Sequence, residues 1–402
     1  TLTVLEKIGH FLDRENDRLF KQFKEQKLSN EAISVHIQNH LDLASVLYES
    51  SKKWDGGFVM SGLIGHGDAF VFRDAHGIRP AFYYADEELI IAASERPVIQ
   101  TVLNKPKERI HEIPPGQALI IKKDGSFKLQ EILPPAERQS CSFERIYFSR
   151  GNDADIYQER NALGRHLAHQ VWDAVKNDLS HTVFSFIPNT AELAFYGMIQ
   201  ELEKTARKES SENRIRVEKL IYKDAKLRTF ITDDTQRDDL VNLVYDITYG
   251  IVKPHLDTIV VMDDSIVRGT TLKRSILKIL DRLQPKKIII VSSAPQIRYP
   301  DCYGIDMAEL SRFVAFEAAV QLTREQQNGI KLEHLYQQAM LEIKKPKTDQ
   351  VNIVQGLYAP FSDFEISQKI ARLVKPPDLQ AELEIIFQTI PGLHASCPNH
   401  TG

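Results

Sequence analysis

The sequence predicts two kinds of unit in one chain. An α+β unit with antiparallel strands is expected over residues 1–135, an α/β unit with a parallel sheet over 141–345, and a helical extension over 346–402. Three observations carry this. Short strand-like runs separated by turn residues fill 55–130. From Ile146 onward, strand-like runs alternate with helical periodicity. An apolar strand, an amphipathic helix and a second apolar strand follow one another over 258–291, and parallel neighbours need such a crossover.

Taken in order, Leu5, Ile8, Phe11 and Leu12 form one helical stripe, and Ile33, Ile37, Leu41, Leu43 and Leu47 a second helical stretch. Strand-like runs follow at 57–64, 69–73, 81–84, 89–92 and 118–121. Between them lie Gly65-His66-Gly67, Asp74-Ala75-His76-Gly77, Pro114-Pro115-Gly116 and Asp124-Gly125. Pro134-Pro135 and the polar residues 136–140 read as a linker. Leu163, Leu167, Val171 and Val175 recur every four residues, as on one face of a helix. A β-rich run at 182–187 precedes a helix over 193–202, and the charge-dense stretch 205–216 reads as a solvated insertion. Residues 258–262 form a buried strand, Leu272, Ile276, Ile279, Leu280 and Leu283 a helical face, and 288–291 a further buried strand.

Composition narrows the function classes. The chain has 402 residues, 42% hydrophobic and 26% charged, with 51 Lys and Arg against 55 Asp and Glu for a net charge of −4. That balance offers no electrostatic footprint for nucleic acid, and no apolar run approaches the roughly 18 residues of a membrane span. Three cysteines do not make a disulfide framework, so a reducing, cytoplasmic setting is expected. The chain opens Thr1-Leu2-Thr3 without a signal peptide and closes on a turn-rich stretch from Cys397, which reads as a fragment. His66, His76 and His166 have no partner spacing and read as structural.

The most informative segment is 258–271, where an apolar strand ends at Asp263-Asp264 and the next loop holds Ser265, Ile266, Val267, Arg268, Gly269, Thr270 and Thr271 before a helix. Ligands of open α/β sheets bind beyond the carboxyl ends of the strands. Gly269 admits close backbone approach, the hydroxyls donate, and a helix start favours an anion, so the loop suits a phosphate. Two carboxylates beside it suit ribose hydroxyls, or a cation that develops during reaction.

This segment resembles the loop that binds 5-phosphoribosyl-1-pyrophosphate (PRPP) in type I phosphoribosyltransferases, and in its Asp-Asp-Ser-Ile-Val-Arg-Gly-Thr-Thr form it is similar to that of the amidophosphoribosyltransferase family. Ile146 to Arg150, Tyr157, Arg160, Gly164 and Leu167 match in order, as do Ser293 to Pro300 and Tyr303 to Asp306. Residues 72–80 and Ala93-Ser94-Glu95 resemble the later part of an N-terminal-nucleophile (Ntn) glutaminase, so residues 1–135 are expected to be a partial domain of that type without its nucleophile. The resemblance implies formation of 5-phosphoribosylamine and pyrophosphate from PRPP and ammonia, the first committed step of purine synthesis, with glutamine as the nitrogen source of the full-length enzyme. It implies Mg²⁺ with the pyrophosphate, held through Asp263 and Asp264, an oxocarbenium-like ribose stabilised by the same two carboxylates, and Arg228 on the pyrophosphate. It implies homo-oligomers and feedback inhibition by purine nucleotides.

The sequence departs from the family pattern in places. The pyrophosphate loop reads Pro188-Asn189-Thr190 in place of Pro-Glu-Thr. The closing loop keeps Arg228-Thr229-Phe230-Ile231, with Lys223 and Lys226 at shifted places, and 240–250 holds no Lys or Arg. Two alternatives therefore stay open: a catalytically weakened PRPP- or nucleotide-binding regulator, and a nucleobase phosphoribosyltransferase. Some family members carry a [4Fe–4S] cluster on cysteines from the regions of Cys141, Cys302 and Cys397. With His400 in the fourth place, the resemblance implies such a cluster or a Zn²⁺ site.

Overall fold

The computed structural model describes residues 2–175, 178–210, 214–223, 245–300, 307–326 and 329–400. Chain contacts divide it into two units, Thr1–Glu144 with Asn399–Gly402, and Arg145–Pro398. None of the described helices is long and apolar enough to cross a membrane.

The first unit starts with three helices, α1 (Leu2–Glu25), α2 (Asn30–His40) and α3 (Leu43–Ser51). Ser29 and Asp42 cap the second and third by accepting the backbone N–H groups of Ala32 and Ser45. Their inward side chains Leu19, Phe23, Ile33, Leu43, Val46 and Leu47 bury against Phe70, Phe72, Ala118 and Ile120. The strands are β1 (Val59–Leu63), β2 (Ala69–Arg73), β3 (Phe82–Ala85), β4 (Ile90–Ala93), β5 (His111–Glu112), β6 (Gln117–Ile121) and β7 (Phe127–Glu131), with α4 (Arg96–Leu103) between β4 and β5. They form two antiparallel sheets, ordered β1-β2-β6-β7 and β4-β3-β5. The runs expected from the sequence match β1 to β4 and β6. β5 and β7 were not expected, because one is two residues long and the other, Phe-Lys-Leu-Gln-Glu, is a largely polar edge strand.

Arg73 and Asp74, where β2 ends, hold this unit's turns together. Asp74 accepts from the backbone N–H groups of Phe58, His76, Ile78 and Arg79. Arg73, 1% exposed, donates to the carbonyls of Arg79, Ile113 and Gly77 and to the Glu112 carboxylate. The Arg-Asp-x-x-Gly signature is thus a folding hub that satisfies buried backbone groups.

The second unit is built on a parallel sheet of β8 (Thr182–Phe186), β9 (Arg216–Val217), β12 (Thr258–Asp263), β13 (Lys287–Ser292) and β14 (Glu382–Phe387). Its order is β14-β13-β12-β8-β9. A separate antiparallel pair joins β10 (Ile221–Lys223) to β11 (Tyr245–Ile247). Side chains alternate between the faces of the sheet, as the period of two requires. Ile259, Val261, Ile288 and Ile290 enter one core, and Val260, Met262, Ile289 and Val291 the other. The second core is closed by α5 (Ala154–Val175) and α6 (Glu192–Glu209), whose Leu167, Val171, Phe195 and Met198 are buried. These helices cross at glycines: a Cβ on Gly164 would lie 1.7 Å from the Ala194 carbonyl oxygen, and one on Gly197 2.0 Å from that of Asn161. The first core is covered by a wide π-type turn (Leu272–Ile276) running into α7 (Leu277–Asp281), by α8 (Val314–Glu325), and by α11 (Asp363–Val374). Helices α9 (Gly329–Glu342) and α10 (Gln355–Tyr358) precede α11, and α12 (Ile390–Ser396) follows β14.

Two expectations change here. The stretch 205–216 begins as the last turn of α6, with Ala206 1% exposed, and ends in β9. Arg207, Lys208 and Glu209 are exposed on that turn, whereas Arg216 in β9 donates to the buried Asp257 carboxylate. The tail 346–402, expected to be helical, contributes β14, which pairs in parallel with β13 from Lys287↔Glu382 to Ser292↔Phe387. Its two glutamates hid a strand whose Ile385, Ile386 and Phe387 are buried.

Candidate functional site

Because the sheet is parallel, the carboxyl ends of its strands come out on one edge, and register decides which loops meet there. Met262 stands opposite Phe186, and the Ile187 N–H donates to the Met262 carbonyl at 2.8 Å. The loops Pro188-Asn189-Thr190 and Asp263-Asp264 therefore leave the sheet side by side. On the other flank Asp263 stands opposite Ser292, and the N–H groups of Ser293 and Ala294 donate to the carbonyls of Asp263 (2.9 Å) and Asp264 (3.0 Å). The Ser293 hydroxyl also donates to the Asp264 carbonyl at 3.0 Å. The backbone of the acidic pair is held from both sides, while Pro188 is buried, Thr190 half-buried and Asn189 exposed.

The two carboxylates have few donors of their own. Asp263 accepts from the Asp264 N–H, and Asp264 from the Ser265 hydroxyl, each at 2.9 Å. Burial, then the neighbouring Asp264 charge, pushes the Asp263 carboxyl well above the usual range. Asp264 is raised as well, by burial, with the Ser265 hydroxyl, Arg160 and Lys223 pulling it back. Tyr245 on β11, cross-strand neighbour of Lys223, is pushed up to about 12 by burial and then by Asp263 and Asp264. Its phenol therefore stays protonated at neutral pH. Sequence reasoning missed Tyr245: its link to the site runs through the pairing of β10 with β11, which no local pattern reveals.

Arg160 was noted only as a match on the first helix. It is 4% exposed and donates to the carbonyls of Arg145, Tyr147 and Ser149, tying the wide turn at Glu144–Phe148 to α5.

The loop after Asp264 divides its residues between core and solvent. Ile266 is buried in the first core, so its side chain cannot meet a ligand and only its backbone is at issue, which narrows the expectation that it binds directly. The N–H of Val314 donates to the Val267 carbonyl at 3.0 Å, pinning the loop to α8. Arg268 is half-buried, and Thr270 and Thr271 are exposed where the helix begins. Gly269 has φ +70°, and a Cβ there would lie 2.5 Å from Val374 Cγ1 on α11. Both the backbone angle and the close approach require glycine at this bend. Arg228, Lys226 and Cys302 lie outside the described residues.

The acidic pair fits a hard cation. Its oxygen donors are of the right kind, its charge is under-compensated, and Mg²⁺ commonly uses one or two carboxylates with substrate phosphates completing the shell. The cysteine set shows no metal centre among the described residues. Cys141 and Cys397 are buried, and the Cys397 thiol is pushed up to about 12 by burial and then Glu159, which leaves it neutral. Among the described residues no three His, Cys, Asp or Glu side chains are grouped to hold a metal ion.

Comparison with known proteins bears out the resemblance in the sequence. No protein-family model matches the chain. The amidophosphoribosyltransferase of Haemophilus influenzae is 29% identical over 296 residues, covering 70% of this chain and 55% of that one. Its counterpart from Saccharomyces cerevisiae is 29% identical over 273 residues, covering 65% and 50%, and that from Archaeoglobus fulgidus 27% over 314 residues, covering 76% and 63%. The chain thus spans about half the length of the relatives it matches. Among solved structures, a glutamine PRPP amidotransferase from B. subtilis complexed with ADP and GMP superposes with a TM-score of 0.59 at 22% identity, over 94% of this chain and 70% of that one. The fold is of this kind: a parallel α/β sheet together with antiparallel sheets.

Proposed function

We propose that the Arg145–Pro398 unit binds PRPP and transfers its phosphoribosyl group to ammonia, releasing pyrophosphate and forming 5-phosphoribosylamine, as a cytoplasmic amidophosphoribosyltransferase of purine synthesis. The observation that carries this reading is the placement of Asp263-Asp264 at the end of a central strand, under-compensated in charge, with the Gly269 bend and the exposed Thr270 and Thr271 directly after it. The names of its relatives support the same reading.

In this mechanism the hydroxyls of Ser265, Thr270 and Thr271 and the backbone from Ile266 to Gly269, Val267 and Arg268 included, cradle the 5-phosphate at the helix start. Asp263 and Asp264 accept the ribose hydroxyls and face the positive charge that grows on the ribose as the bond to pyrophosphate stretches, which lowers the barrier electrostatically. Pro188, Asn189 and Thr190, on the adjoining loop, line the pyrophosphate side, and Arg228 contacts the pyrophosphate. Asp263 and Asp264 would hold Mg²⁺, which would supply charge neutralisation for the leaving pyrophosphate. Ammonia already carries a lone pair, so positioning and exclusion of water are what the protein contributes to the attack. Glutamine is its source in a complete enzyme, purine nucleotides are the expected feedback inhibitors, and the assembly is a homo-oligomer. The cluster or zinc expected on Cys141, Cys302, Cys397 and His400 enters no step of this mechanism.

Pyrophosphate release from PRPP and Mg²⁺ with ammonium chloride, compared with glutamine, tests the proposal. Ammonia-dependent release is expected. PRPP binding without release under either nitrogen source would instead leave a regulator, and base-dependent release a nucleobase transferase.

A further inference from the structure

β14 ends the parallel sheet on one side, and among the described residues no strand pairs with its outer edge. The N–H groups of Glu382 and Gln388 donate to the carbonyls of Lys286 and Ser292. The even-numbered residues of β14 therefore turn their backbone toward β13, while Leu383, Ile385 and Phe387 turn theirs outward. The Phe387 carbonyl accepts from the Gln170 amide at 3.4 Å. The outward N–H and C=O of Ile385 have no hydrogen-bond partner among the described residues, although Ile385 is only 5% exposed. Backbone groups so little exposed are almost always paired, so this edge is short of a partner.

The edge opens into a cleft of about 680 Å³ bordered by α5 and α11. Its α11 wall is fixed in place: Arg298 donates to the Asp363 carboxylate, and Gln296 to the Asp363 carbonyl and the Ser367 hydroxyl, each of these two at 2.7 Å. The two walls differ in chemistry. On the α5 side stand the carboxylates of Asp173, half-exposed beside His169, and Glu384, paired with Lys287. On the α11 side stand Phe364 and Tyr299, 65% and 36% exposed. Three carboxylates and one guanidinium border the cleft, so its field favours a basic guest. A segment laid along β14 would send every second side chain to the acidic wall and the others to the apolar one. We propose that the cleft receives an extended segment of a partner protein in which basic and apolar residues alternate, added to β14 as a further strand with its basic side chains toward α5. The proposal is independent of the reaction assigned above.

Fluorescence anisotropy of a labelled peptide, Lys-Val-Lys-Val-Lys-Val with both ends blocked, titrated with the full chain, tests it. The expected result is saturable binding in the micromolar range, about tenfold or more tighter than the same peptide with Glu for Lys. N-methylation of one alternating set of peptide residues should weaken binding about a hundredfold, and of the other set very little, since only every second N–H of a strand faces its neighbour. Asp173→Lys and Phe364→Ala, both at exposed positions and checked for folding by circular dichroism, should each weaken it about tenfold. Amide exchange at Ile385 should slow in the complex. No binding up to about 1 mM, a Glu peptide that binds as tightly, indifference to methylation of either set, or indifference to both substitutions would overturn the proposal.

Discussion

Two strands of this molecule end in aspartate, and the two ends do opposite things. β2 runs into Asp74, whose carboxylate collects four backbone N–H groups beside an Arg73 that is itself fully engaged. β12 runs into Asp263 and Asp264, whose carboxylates crowd one another and whose donors among the described residues come from the next residue along the chain, Asp264 and Ser265. The first arrangement satisfies buried polar groups and stabilises a fold. The second leaves charge only partly compensated among the described residues, which weakens the free protein and suits a ligand that brings hydroxyls or a cation. The contrast teaches that an acidic residue at a strand end is assigned a role by its donors rather than by its identity.

The largest effects should come from breaking the hub. Arg73→Met leaves three carbonyls without this donor and takes one of two arginines from the Glu112 carboxylate, and should cost about 3–5 kcal/mol in urea unfolding. Asp74→Ala should cost about 3 kcal/mol, for the four N–H groups it strands. At the other strand end, Asp264→Asn should lower ammonia-dependent pyrophosphate release about 10²–10³-fold while the protein stays folded. Asp263→Asn should raise stability at neutral pH by about 1 kcal/mol, because it removes one of two repelling, half-buried carboxylates. A loss of stability there would erase the distinction between the two strand ends.

Smaller effects sharpen the comparison. Gly269→Ala meets both a positive φ and Val374, so PRPP affinity, read by calorimetry, should fall about tenfold with little change in the unfolding of the first unit. Asp68 gives the pH test. Burial pushes its carboxyl up, but Lys122, His66 and the Lys123 N–H outweigh that and hold it below the ordinary value. A depressed folded value means stabilisation that is present above the unfolded pKa of about 3.9 and lost as pH falls through the folded one. Asp68→Asn should therefore be less stable at pH 7 and show a shallower loss of stability below about pH 4.

Much of the fold was legible from periodicity. The four-residue spacing of Leu163, Leu167, Val171 and Val175 is the buried face of α5, and the apolar runs at 258–262 and 288–291 are the two central strands. The local structure of the candidate site was legible in Asp263 to Thr271, since a strand end, a glycine bend and a helix start are all written in consecutive residues. β5, β7 and β14 were not legible, being very short, polar or interrupted by glutamates. Nor was Ile266, whose side chain a contiguous motif cannot assign to the core.

What the sequence by itself determined is the succession of elements and the chemistry of each loop, because both depend on neighbours within a few residues. Only the tertiary structure decided that Pro188 to Thr190 flanks the acidic pair, that β14 completes the sheet, that Arg160 and Lys223 act electrostatically on Asp264, and that both aspartates act on Tyr245. The reason is physical. These relations run through strand register and burial between segments up to about a hundred residues apart, and a side chain's charge state follows from everything packed around it rather than from its place in the chain.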